Sequence, residues 1–380
     1  METWSVHHLF QDAELLRGST TAYDLKQYAQ KLMRANLPVI FTLKHLSLIA
    51  GVEYDYLRKT VDRRQESANY RMFAIHKRSG GRRFIHAVSG QLFKVHQFIN
   101  TELLQKLEPH SASFAFHAKG GIRKCALMHC GARWLFQYDL KNFFHDINEA
   151  DVFTVFQNAG YRPLFAFELA RICTTTRLPE HLRHLLWPTL QIHKSYSFYN
   201  DRDGAMGVLP QGAPTSPMLS NLAAFSLDRQ LTDYADQHGL VYTRYADDLT
   251  LSTSGNLPKN LSIGHIHRTI VGIIRKCGFR ENEKKIRIAG PGSKKIVLGL
   301  LVDGYIPRIS KETYKRINRH LYAINKYGLM EVATHEKFDS PLGLYNHIAG
   351  LIAFVKDVDR TRWSLFNEQF AKIKNPWRYS

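Results

Sequence analysis

The feature that most constrains this chain is a pair of adjacent acids set between two apolar runs. Leu240, Val241 and Tyr242 lead into Arg244-Tyr245-Ala246-Asp247-Asp248, and Leu249, Thr250 and Leu251 leave it. The pattern over 240–253 reads as strand, turn, strand. Two carboxylates side by side are costly unless something positive lies beside them, and divalent cations held by carboxylate oxygens are the natural answer. A pair of ions roughly 3.5–4 Å apart needs a further carboxylate from another strand. Asp139 is the best candidate, because it ends the apolar run that begins at Trp134 and is followed by Phe143 and Phe144. Neighbouring antiparallel strands would set Asp139 beside Asp247. The bland reading of two acids at a turn is a solvated loop. A second apolar strand ending in Asp weighs against it.

A second feature runs from Leu209 to Pro217, Leu-Pro-Gln-Gly-Ala-Pro-Thr-Ser-Pro, and leads into Asn221 and a helix. Three prolines and a glycine fix an unusual backbone next to a helix start. A neutral Gln211 there suits hydrogen bonding to a nucleotide or template; the alternative is a rigid structural turn. A third feature is a basic turn, 77–83, flanked by two strands within 70–88. Its arginines and glycine amides could meet phosphate, or it could be an ordinary solvated hairpin tip.

Charge narrows the partners. The chain has 52 Lys plus Arg against 33 Asp plus Glu, a formal charge of +19 over 380 residues. So basic a protein should attract a polyanion, with nucleic acid the default and an acidic membrane surface the competitor. No apolar run is long enough to span a bilayer, so no membrane partner is expected. Residues 1–14 carry acids and lack an uninterrupted apolar core, so they do not read as a secretory signal; the expected compartment is the cytoplasm. Cys125, Cys130, Cys173 and Cys277 form no CxxC pair. Buried free thiols fit better than a zinc site built with His129.

Periodicity predicts helices over 23–35, 43–61, 91–107, 151–173, 219–238, 263–277 and from 310 onward. Strands are expected at 70–88 (a hairpin), 134–139, 240–253 and 295–302. Residues 176–207 are irregular, rich in His, Pro and aromatic residues, and read as an insertion. No internal repeat or low-complexity tract is present.

Asp139 to Phe144 (DLxxFF), Leu209 to Asn221 (LPQGxPTSPxLSN) and Tyr245 to Asp248 (YADD), in this order, resemble the motifs of reverse transcriptases. The run from Arg244 to Ser252 is similar to the bacterial retron branch, and the likeness extends from about Asn36 into the C-terminal lobe. It implies an α+β right-hand polymerase with fingers, a ferredoxin-like palm and a helical thumb. The expected division is an N-terminal helical extension (1–35), fingers with part of the palm (36–130), palm (131–290) with its insertion near 176–207, and thumb (291–380).

The same resemblance implies roles. Asp139 and Asp247 would ligate two Mg2+ ions, assisted by Asp248. The backbone at Leu140 would lie near the triphosphate. Phe144 matches the bulky gate that excludes a ribose 2′-OH, with Phe143 next in line. Gln211 and Gly212 would line the nucleotide pocket, and Arg83, with Arg82 beside it, would grip the triphosphate. Lys285, or alternatively Lys284, matches the lysine that protonates pyrophosphate; a solvated turn explains both equally well.

Two retron landmarks are altered. The usual NAxxH is Cys125 to His129 here, without its Asn, and the usual VTG is Val297-Leu298-Gly299, without its Thr. The retron likeness further implies a structured non-coding RNA as template and primer, a DNA product branched from an RNA 2′-OH, dNTP substrates, and an effector protein in antiphage defence. Lys315, Arg316 and Arg319 on the thumb would contact RNA. Tyr322, Tyr345, Trp363 and Trp377 could stack on bases, with core packing the better use for most. Group II intron and diversity-generating reverse transcriptases are the alternatives within the class. An intron enzyme needs room after the thumb for a maturation domain, and a diversity-generating one usually departs from LPQG. A catalytically silent RNA-binding scaffold is the alternative outside it, though it would have no need of this full set of acids, Gln and gate aromatic.

Overall fold

A computed structural model describes residues 5–76, 80–187, 205–257 and 261–376. Its centre is a four-stranded antiparallel sheet in the order β4-β5-β3-β6. The strands are β3 (Trp134–Asp139), β4 (Val241–Tyr245), β5 (Asp248–Thr253) and β6 (Arg287–Ala289). A separate hairpin pairs β1 (Tyr70–His76) with β2 (Arg82–Val88). A small sheet joins β7 (Ile296–Val297), β8 (Leu300–Leu301) and β9 (Arg308–Ile309).

Alternation along the strands decides what each face meets. Phe136, Tyr138, Leu249 and Leu251 point into the large core shared by helices Glu149–Ala159, Pro163–Cys173, Phe225–Gln237 and Ile263–Lys276. Leu135 points the opposite way and joins a second core, built from Val297, Leu300, Ile309 and the C-terminal helices. Asp139, Gln137, Asp248 and Thr250 share that second face, so the acids are kept out of the main core. The two cores meet across one sheet, as expected for a palm with a helical thumb.

Most predicted elements form, and the differences have local causes. The span 43–61 is two helices, Leu43–Ala50 and Tyr54–Val61, because the Val52 N–H turns back to the Ser47 carbonyl at 3.0 Å and closes the first. The span 295–302 is a tight hairpin rather than one strand: Leu298 and Gly299 both have positive φ and reverse the chain between β7 and β8. The N-terminal extension is two helices, Val6–Arg17 and Ser19–Arg34. The second belongs to the main core through Tyr28 and Leu32, with the Tyr28 hydroxyl donating to the Ile40 carbonyl at 2.6 Å.

The insertion is anchored at both ends. Thr175 and Val208 exchange backbone hydrogen bonds. Beneath them the buried guanidinium of Arg63 bridges Glu66 (2.7 Å) and Glu149 (2.8 Å), and Glu149 also accepts from the Gly207 amide. Residues Glu180–Leu186 form a 3-10 turn. The remainder of the insertion, 188–204, lies outside the described residues, as do residues 77–79 of the basic turn and Trp377. No helix among the described residues is long and apolar enough to cross a membrane.

Candidate active site

β4 and β5 are joined by a two-residue turn, Ala246-Asp247, closed by the Tyr245–Asp248 pair. Ala246 sits at φ 56°, in the left-handed region, as such a turn requires at its first central position. On β3, Asp139 is paired in register with Asp248 rather than with Asp247. Asp247 lies one residue further out, where its carbonyl accepts from the Leu140 amide at 2.9 Å. The Leu140 N–H is therefore committed within the protein and unavailable to a phosphate, although Leu140 does lie at this turn.

Asp247 and Asp248 are both held above the ordinary carboxylate range. Burial, then Asp247 and Asp139, pushes Asp248 up to about 6. Asp247 is also raised, by burial and by Asp139, against the pull of Lys285 and Arg83. These two bases are the positive groups that answer the acids. Lys285, in the 3-10 turn Glu283–Lys285, places Nζ 2.6 Å from Asp139 Oδ2, and Asn282 Nδ2 donates to Oδ1 at 2.9 Å. That bond to Asp139 raises the Lys285 ammonium above its ordinary value. Arg83 stands exposed on β2. A cleft of about 260 Å³ opens over this face, lined by Asp139, Asp248, Lys285, Arg287 and the β7–β8 turn at Leu298 and Gly299.

Among the described residues no three acidic, His or Cys side chains form a ready-made metal cage. A hard divalent cation can also be held by one or two carboxylates together with substrate phosphates and waters rather than by protein alone. The carboxylate oxygens of Asp139, Asp247 and Asp248 are the hard donors that such a cation takes.

Phe143 and Phe144 separate cleanly. Phe143 is buried against Phe279, whereas Phe144 is half-buried and faces Phe116. Gln211 and Gly212 meet the β1–β2 hairpin directly: the His86 amide donates to the Gln211 carbonyl at 2.8 Å. Gly212 sits at φ 117°, and a Cβ there would lie 2.8 Å from the His86 carbonyl oxygen. Lys315, Arg316 and Arg319 stand on a different element, the exposed face of helix Lys311–Tyr327, apart from the acids. Arg319 approaches Glu336 at 3.8 Å. Tyr322 is exposed on the same helix, while Tyr345 packs against Phe370 and Trp363 against the second core.

The network around Arg244 escaped the sequence reading. Arg244 is fully buried on the core side of β4. It pairs with both carboxylate oxygens of Asp228 at 2.7 Å and donates to Asn221 (3.0 Å) and to the Ala246 carbonyl (3.1 Å). One guanidinium thus ties the helix after the proline-rich motif to the acid-bearing turn. A charged residue inside an apolar strand was the available signal, since it demands a buried counter-charge. His129 is packed, with ring nitrogens 2.7 Å from Ser252 Oγ and Thr243 Oγ1, and burial pushes it down to about 3. Cys125 is a buried free thiol, pushed up to about 11 by burial.

Non-glycine residues with positive φ gather here: Phe116, Asn142, Ala246 and Leu298. Backbone strain of about 1–3 kcal/mol per residue persists only where surrounding structure enforces it, commonly at functional sites.

A profile of the family "Reverse transcriptase (RNA-dependent DNA polymerase)" matches residues 68–302. The chain is 29% identical over 331 residues to the retron Ec86 reverse transcriptase of Escherichia coli, covering 87% of this chain and 88% of that one. It is 29% identical over 359 residues to the retron Mx65 reverse transcriptase of Myxococcus xanthus, covering 94% and 77%. It is 30% identical over 309 residues to the retron Ec73 reverse transcriptase of Escherichia coli, covering 79% and 87%.

Proposed function

The chain belongs to the reverse transcriptase family, in its retron branch, and from that premise we propose that it copies part of a structured non-coding RNA into single-stranded DNA. It is an RNA-directed DNA polymerase. The proposal concerns what it copies and how it starts: synthesis begins at a 2′-OH of the RNA and leaves a branched RNA–DNA molecule, which serves antiphage defence with an effector protein.

The observation that supports the catalytic part is the pairing of Asp139 with Asp248 in one cleft, with Lys285 on Asp139 and Asp247 next along the turn, close enough to feel both Asp139 and Lys285. Two Mg2+ ions bound by these carboxylates and the nucleotide's phosphates would supply a more acidic primer hydroxyl and charge neutralisation on the triphosphate. The protein's own side chains do the rest. The primer hydroxyl gives up its proton to solvent as its oxygen bonds to the α-phosphorus, and Lys285, which holds a proton beside the acids, passes it to the departing pyrophosphate as the α–β bridging bond breaks. Arg83 engages the triphosphate from the β1–β2 hairpin. Phe144 meets the sugar and disfavours a 2′-OH. Gln211 and Gly212 form the floor on which the hairpin rests.

The test is to express the chain with its native flanking DNA and recover nucleic acid from wild type and from Asp247→Asn. Short, abundant DNA covalently joined to RNA in wild type alone is the expected result. Primer extension on RNA without any branched product would defeat the retron priming scheme while leaving the polymerase.

A further inference from the structure

We propose that Phe116 is a positioning residue for sugar selection, fixing the ring of Phe144 in the orientation that excludes a 2′-OH. The inference rests on the reading of Phe144 as the gate. The Phe116 ring lies 6.4 Å from that of Phe144, tilted by 44°, and Phe116 is 38% exposed. Phe144 also lies against Phe143, at 5.6 Å, so two rings limit how far it can swing.

The backbone beneath Phe116 is costly to maintain. Its φ is 65°, a genuine outlier for so bulky a residue. The loop is held to β4 along its length: the Arg244 amide donates to the Ala112 carbonyl at 2.7 Å, and the Phe114 amide to the Arg244 carbonyl at 2.8 Å. Ser113 Oγ donates to Asn221 Oδ1 at 2.9 Å, and Asn221 Nδ2 to the Ala115 carbonyl at 2.7 Å. The Gly121 amide closes back on the Phe114 carbonyl at 2.7 Å. Gly120 passes so near that carbonyl that any side chain would collide with it. Glycine would satisfy the φ at 116 without strain. An aromatic ring held there against its backbone preference, partly exposed and against the gate, points to specificity rather than to stability.

The two effects separate in one variant. Phe116→Gly relieves the left-handed strain but removes the brace. The purified chain, with an RNA template and annealed primer, is assayed for kcat/KM with dNTPs and with the matching rNTPs, and for thermal unfolding. Discrimination against rNTPs should fall by about tenfold, the scale of losing modest apolar contact in a pocket. The unfolding temperature should hold or rise. Phe116→Leu, which keeps an apolar brace, should restore most of the discrimination and serves as the reading if the glycine variant is poorly folded. Combined with Phe144→Ala, Phe116→Gly should cause no further loss, because its effect passes through that ring. Unchanged discrimination in Phe116→Gly, alongside a loss in Phe144→Ala, overturns the proposal and leaves the gate standing. Losses that add in the double variant also overturn it, since Phe116 would then act on the nucleotide directly. Unchanged discrimination in Phe144→Ala removes the gate reading itself.

Discussion

The ammonium of Lys285 occupies one oxygen of Asp139 at 2.6 Å, and the amide of Asn282 occupies the other at 2.9 Å. The carboxylate best placed to hold a cation is therefore already answered by a protein cation. A metal ion held by Asp139 would have to compete with that ammonium, and Lys285 freed from it would be able to turn to the triphosphate. Lys285→Met should lower the Mg2+ concentration giving half-maximal rate, because a competing charge is gone. It should also reduce the rate at saturating Mg2+ by about 10²-fold, the lower range for loss of a general acid. A Mg2+ titration of single-nucleotide addition reads both. If neither quantity moves, Lys285 is only a surface turn residue.

Proton linkage gives a second expectation. Asp248 titrates near 6, raised by burial and then by Asp247 and Asp139. Because this pKa is raised on folding, Asp248 favours the metal-free fold at low pH. That contribution is lost as pH climbs from the ordinary carboxylate range through about 6. A bound cation needs the ionised form, so Mg2+ should expel protons near pH 6 and few near pH 8. Calorimetry in two buffers of different ionisation enthalpy measures this directly. Heats that do not depend on the buffer at pH 6 would contradict it, and Asp248→Asn should shrink the difference.

Gly212 ties the proline-rich motif to the β1–β2 hairpin by lacking a side chain. Its φ of 117° and the 2.8 Å separation of a would-be Cβ from the His86 carbonyl oxygen leave no room for alanine. Gly212→Ala should push β2 away and weaken the bond from the His86 amide to the Gln211 carbonyl. Arg83, further along the same strand, would move with it. The expected result is a rise in KM for dNTPs of at least about tenfold with thermal unfolding little changed, since misplacement of about 1 Å can cost 10²-fold. An unaltered KM would show that this contact does not position the hairpin.

How far the sequence could be read follows the same physics. The strand ending in Asp139 and the strand–turn–strand unit carrying Asp247 were legible because apolar runs stop abruptly at acids, and the helix over 263–277 because its isoleucines recur at helical spacing. The one-residue offset that pairs Asp139 with Asp248 was not legible, because register depends on turn length and on which residues the partner strand buries. The Lys285–Asp139 contact joins residues 146 apart. Arg244 inside an apolar strand called for a buried counter-charge, but Asp228 looks like an ordinary surface charge until helix Phe225–Gln237 is laid on β4. A packed His129 was open to sequence reading, but its partners were not, since Ser252 and Thr243 reach it from two strands.

The Arg244–Asp228 pair permits a separation of stability from positioning. Both side chains are fully buried. Removing one partner strands the other, so Asp228→Ala should cost about 3–5 kcal/mol in denaturant unfolding. Replacing both by apolar residues, as Arg244→Met with Asp228→Leu, should recover much of that loss. Polymerase activity should stay low in the double variant, because the Ala246 carbonyl and Asn221 lose the guanidinium that holds the acid-bearing turn. Recovery of activity together with stability would show that the pair serves folding alone.

The thumb helix Lys311–Tyr327 carries its bases on the face opposite Ile317, Leu321 and Ile324, which fill the second core. Lys315, Arg319 and Tyr322 follow one another at helical spacing, making a stripe of charge and one aromatic. With a formal charge of +19, the chain should bind RNA with an affinity that falls steeply as salt rises, each phosphate contact releasing counterions. Lys315→Ala should weaken binding at low salt and reduce the slope of log K against log salt by about 1, the signature of one lost phosphate contact. Tyr322→Ala should weaken binding without changing the slope, because stacking releases no counterions. Arg319 already has Glu336 at 3.8 Å, so it must exchange that partner for phosphate, and its removal should change the slope less than removal of Lys315. Equal slopes for wild type and Lys315→Ala, measured across 50–200 mM salt on the protein's own RNA, would place the RNA on another face of the thumb.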